Sequence, residues 1–284
     1  MRGMNVLFVF AHQDDEFSAS VPLARHVRAG DAVHCVYLTN GETPVATCAV
    51  RNAESLTALQ SLGVLEANIS FIGTEIAIPD GGLYERLADA DRALAAYVIT
   101  QLGGSVDALY LLGWEGGHHD HDAAHLLGLA LARDLHLLER TRQLPVYHGQ
   151  GVSGKLFRTL VPLRGLSGEA LRLTIGEGLR AATLARLYPS QRKTWIGLFP
   201  EAFIRYVLLR RMYLLHVDLR AIEQRPHAGT LLYERMGRVS YERFRTTVSS
   251  FIAGRLKEPQ NPSRETPAPR ATRLPSHSGS IDRR

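Results

Sequence analysis

Between residues 6 and 148 the chain alternates short, nearly continuous apolar runs with longer helical patterns, and this alternation restricts the fold more than any other feature. Strand candidates lie at 6–11, 32–39, 69–73, 108–113 and 144–148. They are rich in Val, Ile, Leu, Phe and Tyr with little polar alternation, the pattern of strands covered on both faces. Helix candidates fall between them at about 18–29, 48–62, 83–102 and 122–135, with Gly30 and Gly63 where left-handed C-caps are wanted. Strands alternating with helices predict a Rossmann-like, doubly wound α/β fold: a mostly parallel sheet with helices on both faces. Beyond Gly149 helical stretches dominate, at about 176–187, 200–215 and 241–253, and predict a helical C-terminal extension on the same unit. The α/β domain is thus expected over 1–254. Residues 255–284, which hold five of the 13 prolines, read as a disordered tail rich in Pro, Arg and Ser.

Charge and targeting signals narrow the function. The net charge of +5 comes from 33 Lys+Arg against 28 Asp+Glu, but 255–284 alone holds seven basic and three acidic residues. The rest of the chain is nearly neutral, so no nucleic-acid partner is expected. Two cysteines, Cys35 and Cys48, exclude a disulfide scaffold or a cysteine-rich zinc module and are expected as thiols. The apolar run at 6–11 is too short for a signal-peptide core. Nothing approaches the ~18 uninterrupted apolar residues of a membrane span, and the expected location is cytoplasmic. The stretch 203–215 is interrupted by Arg205, Arg210 and Arg211. Its basic, amphipathic pattern is compatible with peripheral membrane contact, and a core helix whose arginines reach solvent is the preferred reading.

Two clusters carry the chemistry. His12-Gln13-Asp14-Asp15-Glu16 follows the first strand candidate, where open α/β sheets bind ligands. One imidazole and three carboxylates in five residues repel one another unless a cation compensates, and a His with a carboxylate suits zinc or another first-row divalent ion. An acidic helix start would explain Asp15 and Glu16, but not His12. The second cluster, Gly116-Gly117-His118-His119-Asp120-His121-Asp122 with His125, follows the fourth strand candidate. On spacing alone either His118 with His121, or His121 with His125, could form a ligand pair.

Together, His12-x-Asp14-Asp15-Glu16 and Gly117-His118-x-Asp120-His121 resemble the LmbE-like/PIG-L family of zinc-dependent N-acetylglucosaminyl deacetylases. Weaker matches are Thr39-Asn40-Gly41-Glu42, Arg51-x-x-Glu54, Pro79-Asp80-Gly81 and Tyr188-x-Ser190-Gln191, so the resemblance spans about 4–195. Gln13 and His119 stand where the family mostly has proline. The resemblance implies His12, Asp15 and His121 as ligands of Zn2+, or of another divalent first-row metal, with coordination left open for catalysis. It implies Asp14 as the general base toward the attacking water, and His118 as a partner of the acyl oxygen. Asp120 would orient a histidine, His118 by preference. Arg51, Asp80 and Asn40 would contact substrate. The expected activity is metal-dependent hydrolysis of an N-acetyl, or other small N-acyl, group on an amino sugar in a small molecule or glycoconjugate. The alternatives are hydrolysis of another amide, or a catalytically silent metal- or glycan-binding protein. Asp14 beside Asp15 argues against silence, because a structural metal site does not need a base. A nicotinamide site is disfavoured, since no Gly-x-Gly-x-x-Gly follows the first strand.

Overall fold

The computed structural model describes residues 3–257. Its strands are β1 (Asn5–Phe10), β2 (Ala32–Tyr37), β3 (Ile69–Ser70), β4 (Ala108–Leu112), β5 (Thr141–Leu144), β6 (Tyr147–His148), β7 (Arg158–Thr159), β8 (Gly168–Arg172) and β9 (Arg211–His216). The α-helices are α1 (Glu16–Ala29), α2 (Cys48–Ser61), α3 (Ile72–Glu75), α4 (Leu87–Leu102), α5 (His119–Asp134), α6 (Ile175–Thr183), α7 (Arg192–Phe203), α8 (Leu232–Arg235) and α9 (Tyr241–Arg255).

Seven strands form one sheet in the order β3-β2-β1-β4-β5-β9-β8, and β6 pairs with β7 outside it. The first five are parallel; β9 runs antiparallel to β5, and β8 antiparallel to β9. From Val6 to Phe10 no residue is more than 1% exposed. Neighbours on a strand point to opposite faces, so both faces of β1 are covered. Strand order reverses beside β1, which pairs with β2 on one side and β4 on the other. Loops leaving β1 and β4 therefore open side by side into the crevice where such sheets bind ligands.

Four expectations need correction. The run at 69–73 is a two-residue strand that turns directly into α3. Residues 144–148 divide between the end of β5 and the separate β6. The stretch 200–215 is not one helix. After α7 the chain makes a π turn at 204–208, takes a left-handed φ of 48° at Arg210 and enters the sheet as β9. Leu, Met and Arg favour helix, but backbone pairing with β5 and β8 overrides that preference. It is thus neither a surface helix nor a core helix, and the extension is mixed α and β. Finally, α9 continues through Arg255, whose guanidinium pairs with Asp91 at 2.9 Å and Asp134 at 2.6 Å. The remainder of the expected tail, 258–284, lies outside the described residues. Among the described residues no helix is long and apolar enough to cross a membrane.

Candidate metal centre and active site

The loop after β1 folds back on the carboxylate of Asp15. Its Oδ2 accepts the backbone N–H groups of Ala11 at 3.0 Å and His12 at 2.7 Å, leaving Oδ1 free to face the His121 Nε2 atom 3.0 Å away. These donors and His121 hold Asp15 below the usual carboxylate range, although burial alone would raise it. The preceding Asp14 is forced to φ 131°, a conformation that side chains rarely adopt. Its N–H donates at 3.0 Å to Oε2 of the fully buried Glu16, at the start of α1. Strained backbone so fixed is a common device for presenting a reacting group. Burial raises the Asp14 carboxyl to about 7, with the Arg51 guanidinium, 3.3 Å away, opposing that rise.

The loop after β4 is equally fixed. Asp122 Oδ1 accepts the backbone N–H groups of Glu115 and Gly116, each at 3.1 Å. Gly117 lies so close to the Tyr147 carbonyl that a Cβ would come within 1.9 Å of its oxygen, so only glycine fits. His118 is the N-cap of α5, its Nδ1 accepting the Asp120 N–H at 3.1 Å. Asp120 accepts from Gly81 N–H at 2.6 Å and Leu83 N–H at 3.1 Å, and its Oδ2 lies 3.1 Å from His12 Nε2. The Asp120 carboxylate thus orients His12 rather than His118, a correction to the expected pairing. Sequence spacing could not reveal it, because His12 and Asp120 meet only through the adjacency of β1 and β4.

These bonds decide where lone pairs point. A neutral His12 that donates from Nε2 to Asp120 presents an unprotonated Nδ1. That atom lies 3.3 Å from His121 Nε2 and 3.8 Å from Asp15 Oδ2. With His121 unprotonated at Nε2, three acceptors meet in one buried spot, a donor set that suits a cation. Ligands about 2.0–2.1 Å from a tetrahedral ion stand roughly 3.3–3.4 Å apart, and the 3.3 Å from His12 Nδ1 to His121 Nε2 and the 3.0 Å from His121 Nε2 to Asp15 Oδ1 lie near that spacing. His12, Asp80 and His118 also cluster. There, however, His118 receives a backbone N–H at Nδ1, so its Nε2 carries the proton and is no ligand. Against the lowering effect of burial, the carboxylates of Asp80, Asp120 and Asp15 raise His12 well above its ordinary value.

Of the expected substrate residues, Arg51 and Asp80 line the pocket and Asn40 does not. Asn40 Oδ1 accepts the Glu42 N–H at 2.9 Å and closes its own turn. Arg51 is 2% exposed; it donates to the carbonyls of Gly41 and Gln13 and lies 3.7 Å from Asp80. Its Nη groups brace the base loop, a role that α2 spacing did not suggest. His12, Arg51 and Arg238 hold Asp80 well below the carboxylate range, against the effect of burial. Gln13 donates to Asn52 Oδ1 at 2.6 Å and His119 Nε2 bonds the Gly81 carbonyl at 3.0 Å, so the replacements of the family's prolines tie the loop after β1 to α2 and the start of α5 to the Gly81 turn. His125 bonds the Leu112 carbonyl in the core, and Ser190 bonds Glu54. Gln191, from the Tyr188-x-Ser190-Gln191 match, also lines the pocket, but the rest of its other wall escaped sequence reasoning: Tyr147, Leu160, Trp195, Leu198 and Arg238. No spacing or motif marks them.

Residues 7–132 match the family model described as PIG-L, GlcNAc-PI de-N-acetylase. Over this segment the chain is similar to the PIG-L family. Its metal-site and base-loop residues all lie inside the matched range, while most of the pocket wall lies beyond it. Among solved structures, the A40926 pseudoaglycone deacetylase is similar at 16% identity and TM-score 0.53, covering 80% of this chain and 99% of that one. A triple mutant of the deacetylase of the teicoplanin biosynthetic pathway is similar at 14% identity and TM-score 0.55, covering 74% of this chain and 97% of that one. The zinc-inhibited form of teicoplanin deacetylase is similar at 14% identity and TM-score 0.50, covering 74% and 96%. These likenesses show a fold that takes in both the matched segment and the extension after it. No curated protein matches the chain.

Proposed function

We propose that the protein is a divalent-metal-dependent hydrolase that removes an N-acetyl, or other small N-acyl, group from an amino sugar in a glycoconjugate, with zinc the first candidate ion. The observation that carries this reading is the convergence of His12 Nδ1, His121 Nε2 and Asp15 Oδ1 beside a strained, pocket-facing Asp14. The family description and the deacetylases among similar structures support the amide as the bond cleaved.

A divalent ion held by His12, Asp15 and His121 would supply Lewis acidity toward water and the acyl group. Asp14 accepts a proton from the attacking water, whose oxygen bonds to the carbonyl carbon. The carbonyl π pair moves onto the acyl oxygen, toward which His118 presents its Nε2–H. The proton taken by Asp14 returns to the sugar nitrogen as the C–N bond breaks, leaving a carboxylic acid and a free amine. Asp120 keeps His12 in the tautomer that offers Nδ1. Arg51 and Asp80 present donors and acceptors to sugar hydroxyls, and Tyr147, Trp195 and Leu198 cover its apolar faces. A screen of N-acetylglucosamine-bearing compounds against the metal-loaded protein, reading free amine and acetate together, tests the proposal. Release of both from at least one sugar, abolished by chelation, is expected. Cleavage confined to non-sugar amides would favour the broader amidohydrolase reading.

A further inference from the structure

Arg238, on the loop between α8 and α9, lies more than 100 residues beyond the end of the PIG-L match, yet its guanidinium reaches His118 Nε2. That contact sets two donors against each other. The Asp120 backbone N–H is a fixed donor to His118 Nδ1, so the single proton of a neutral imidazole sits on Nε2. Arg238 carries donors only. The nearest carboxylate oxygen, Asp80 Oδ1, is 3.7 Å from His118 Nε2 and 4.0 Å from the Arg238 Nη1 atom, beyond hydrogen-bond reach of both. Two N–H groups thus converge with no acceptor between them. They stand beside the metal ligands: the His118 ring centroid is 4.6 Å from that of His12 and 5.4 Å from that of His121.

We infer that Arg238 is a further catalytic residue, pairing with His118 to bind the acyl oxygen as it becomes negative and to hold the carboxylate product afterwards. The inference rests on the de-N-acetylase reading. Once the half-exposed Arg238 draws back from His118 by the width of an oxygen atom, that oxygen would satisfy both donors at once, and the charge that builds on it as the carbonyl π pair shifts would be met by a permanent cation. Arg238 is half exposed and Asp80 draws it inward, so the side chain is at hand without being locked. Its arrival from the C-terminal extension also makes that extension part of the chemistry and not only of the pocket's shape.

Acetate, a carboxylate with the size of the expected product, is the probe. Calorimetric titration of acetate into the zinc-loaded protein should show binding that Arg238→Ala weakens at least ~10-fold, the effect of one charge-assisted hydrogen bond. Arg238→Lys should recover part of it, having the charge but not the planar fork. Metal content should be the same in all three proteins. On a substrate found by amine release, Arg238→Ala should lower kcat by ~10²-fold, with KM changed much less. Equal acetate affinity in Arg238→Ala and the unaltered protein overturns the inference while leaving the de-N-acetylase reading intact, and so does an absence of acetate binding altogether. Failure of every sugar amide to react, with acetate binding still dependent on Arg238, would instead sink the functional reading and keep the anion site.

Discussion

The floor of the pocket, built by the loops after β1 and β4, is held by backbone N–H groups donating to buried carboxylates, whereas its wall, built by residues 146–198 and Arg238, is held largely by apolar and aromatic contact. On the floor, Asp15, Asp120 and Asp122 each accept two backbone N–H groups. On the wall, Trp195 packs edge-on against Phe17 at 4.6 Å and stacks with Tyr188 at 5.7 Å, and Tyr147 meets His121 edge-on at 5.3 Å. One buried carboxylate joins the two regions: Glu115 Oε1 accepts the N–H groups of Val146 and Tyr147, each at 2.8 Å. Directional bonds hold reacting groups to fractions of an ångström, and apolar packing tolerates replacement of similar volume. On the proposed reading, chemistry is set by the floor together with Arg238, and substrate choice by the apolar and aromatic residues of the wall.

If that division holds, changes on the floor should abolish function and changes to the wall's apolar residues should retune it. The largest effect is expected from His12→Ala or His121→Ala, each of which leaves too few donors for tight binding. Metal analysis after dialysis should find little bound zinc, and turnover should fall to background. Full occupancy in both variants would place the ion elsewhere. Acid should act on the same site more gently. His12 is raised above its ordinary value by its carboxylates, so protons compete with metal into the neutral range. Zinc affinity should therefore climb as pH rises past 7 rather than level off below 6.

A wall substitution should give an intermediate, separable effect. Trp195→Ala removes a large apolar surface from the pocket's side, a loss of about 1.5 kcal/mol or more in substrate contact. KM should rise about tenfold while zinc stoichiometry stays the same, as steady-state kinetics and metal analysis would show. Loss of metal in this variant would erase the distinction between floor and wall. The smallest effect is expected far from both, at Glu177. Bonding to Arg25 first, and also to Arg28, holds its carboxyl well below the usual range. Its folded pKa is depressed, so its stabilisation is complete above an unfolded value of about 4.3 and fades as pH falls below it. Glu177→Gln should cost ~0.2–1 kcal/mol in denaturant melts at pH 7, and less at pH 3, with kinetics untouched.

The same division explains what could be read from the amino acids. Strands β1, β2 and β4 are short apolar runs because both faces are covered, and His12, Asp15 and His121 follow strand ends in compact motifs. Those features are local. Asp120 bonding His12, Arg51 bracing Asp14, and β9 joining β5 depend on which strands become neighbours, and no short window contains that information. The wall is harder still. Tyr147 and Trp195 are indistinguishable in sequence from other core aromatics, and Arg238 from other exposed arginines. Asn40 shows the opposite failure, a residue in a family-like motif whose side chain only closes its own turn.

The central claim is that two adjacent carboxylates divide the work, Asp15 holding the ion and Asp14 moving the proton. Asp14→Asn and Asp15→Asn, assayed side by side for bound zinc and for kcat on one cleaved sugar amide, test it most directly. Asp14→Asn should keep the zinc and lose ~10²–10⁴-fold in kcat, the usual worth of a general base. Asp15→Asn should lose the zinc, because an anionic donor leaves the ligand set. Zinc retained by Asp15→Asn and lost by Asp14→Asn would reverse the roles, and full turnover in Asp14→Asn would contradict the account.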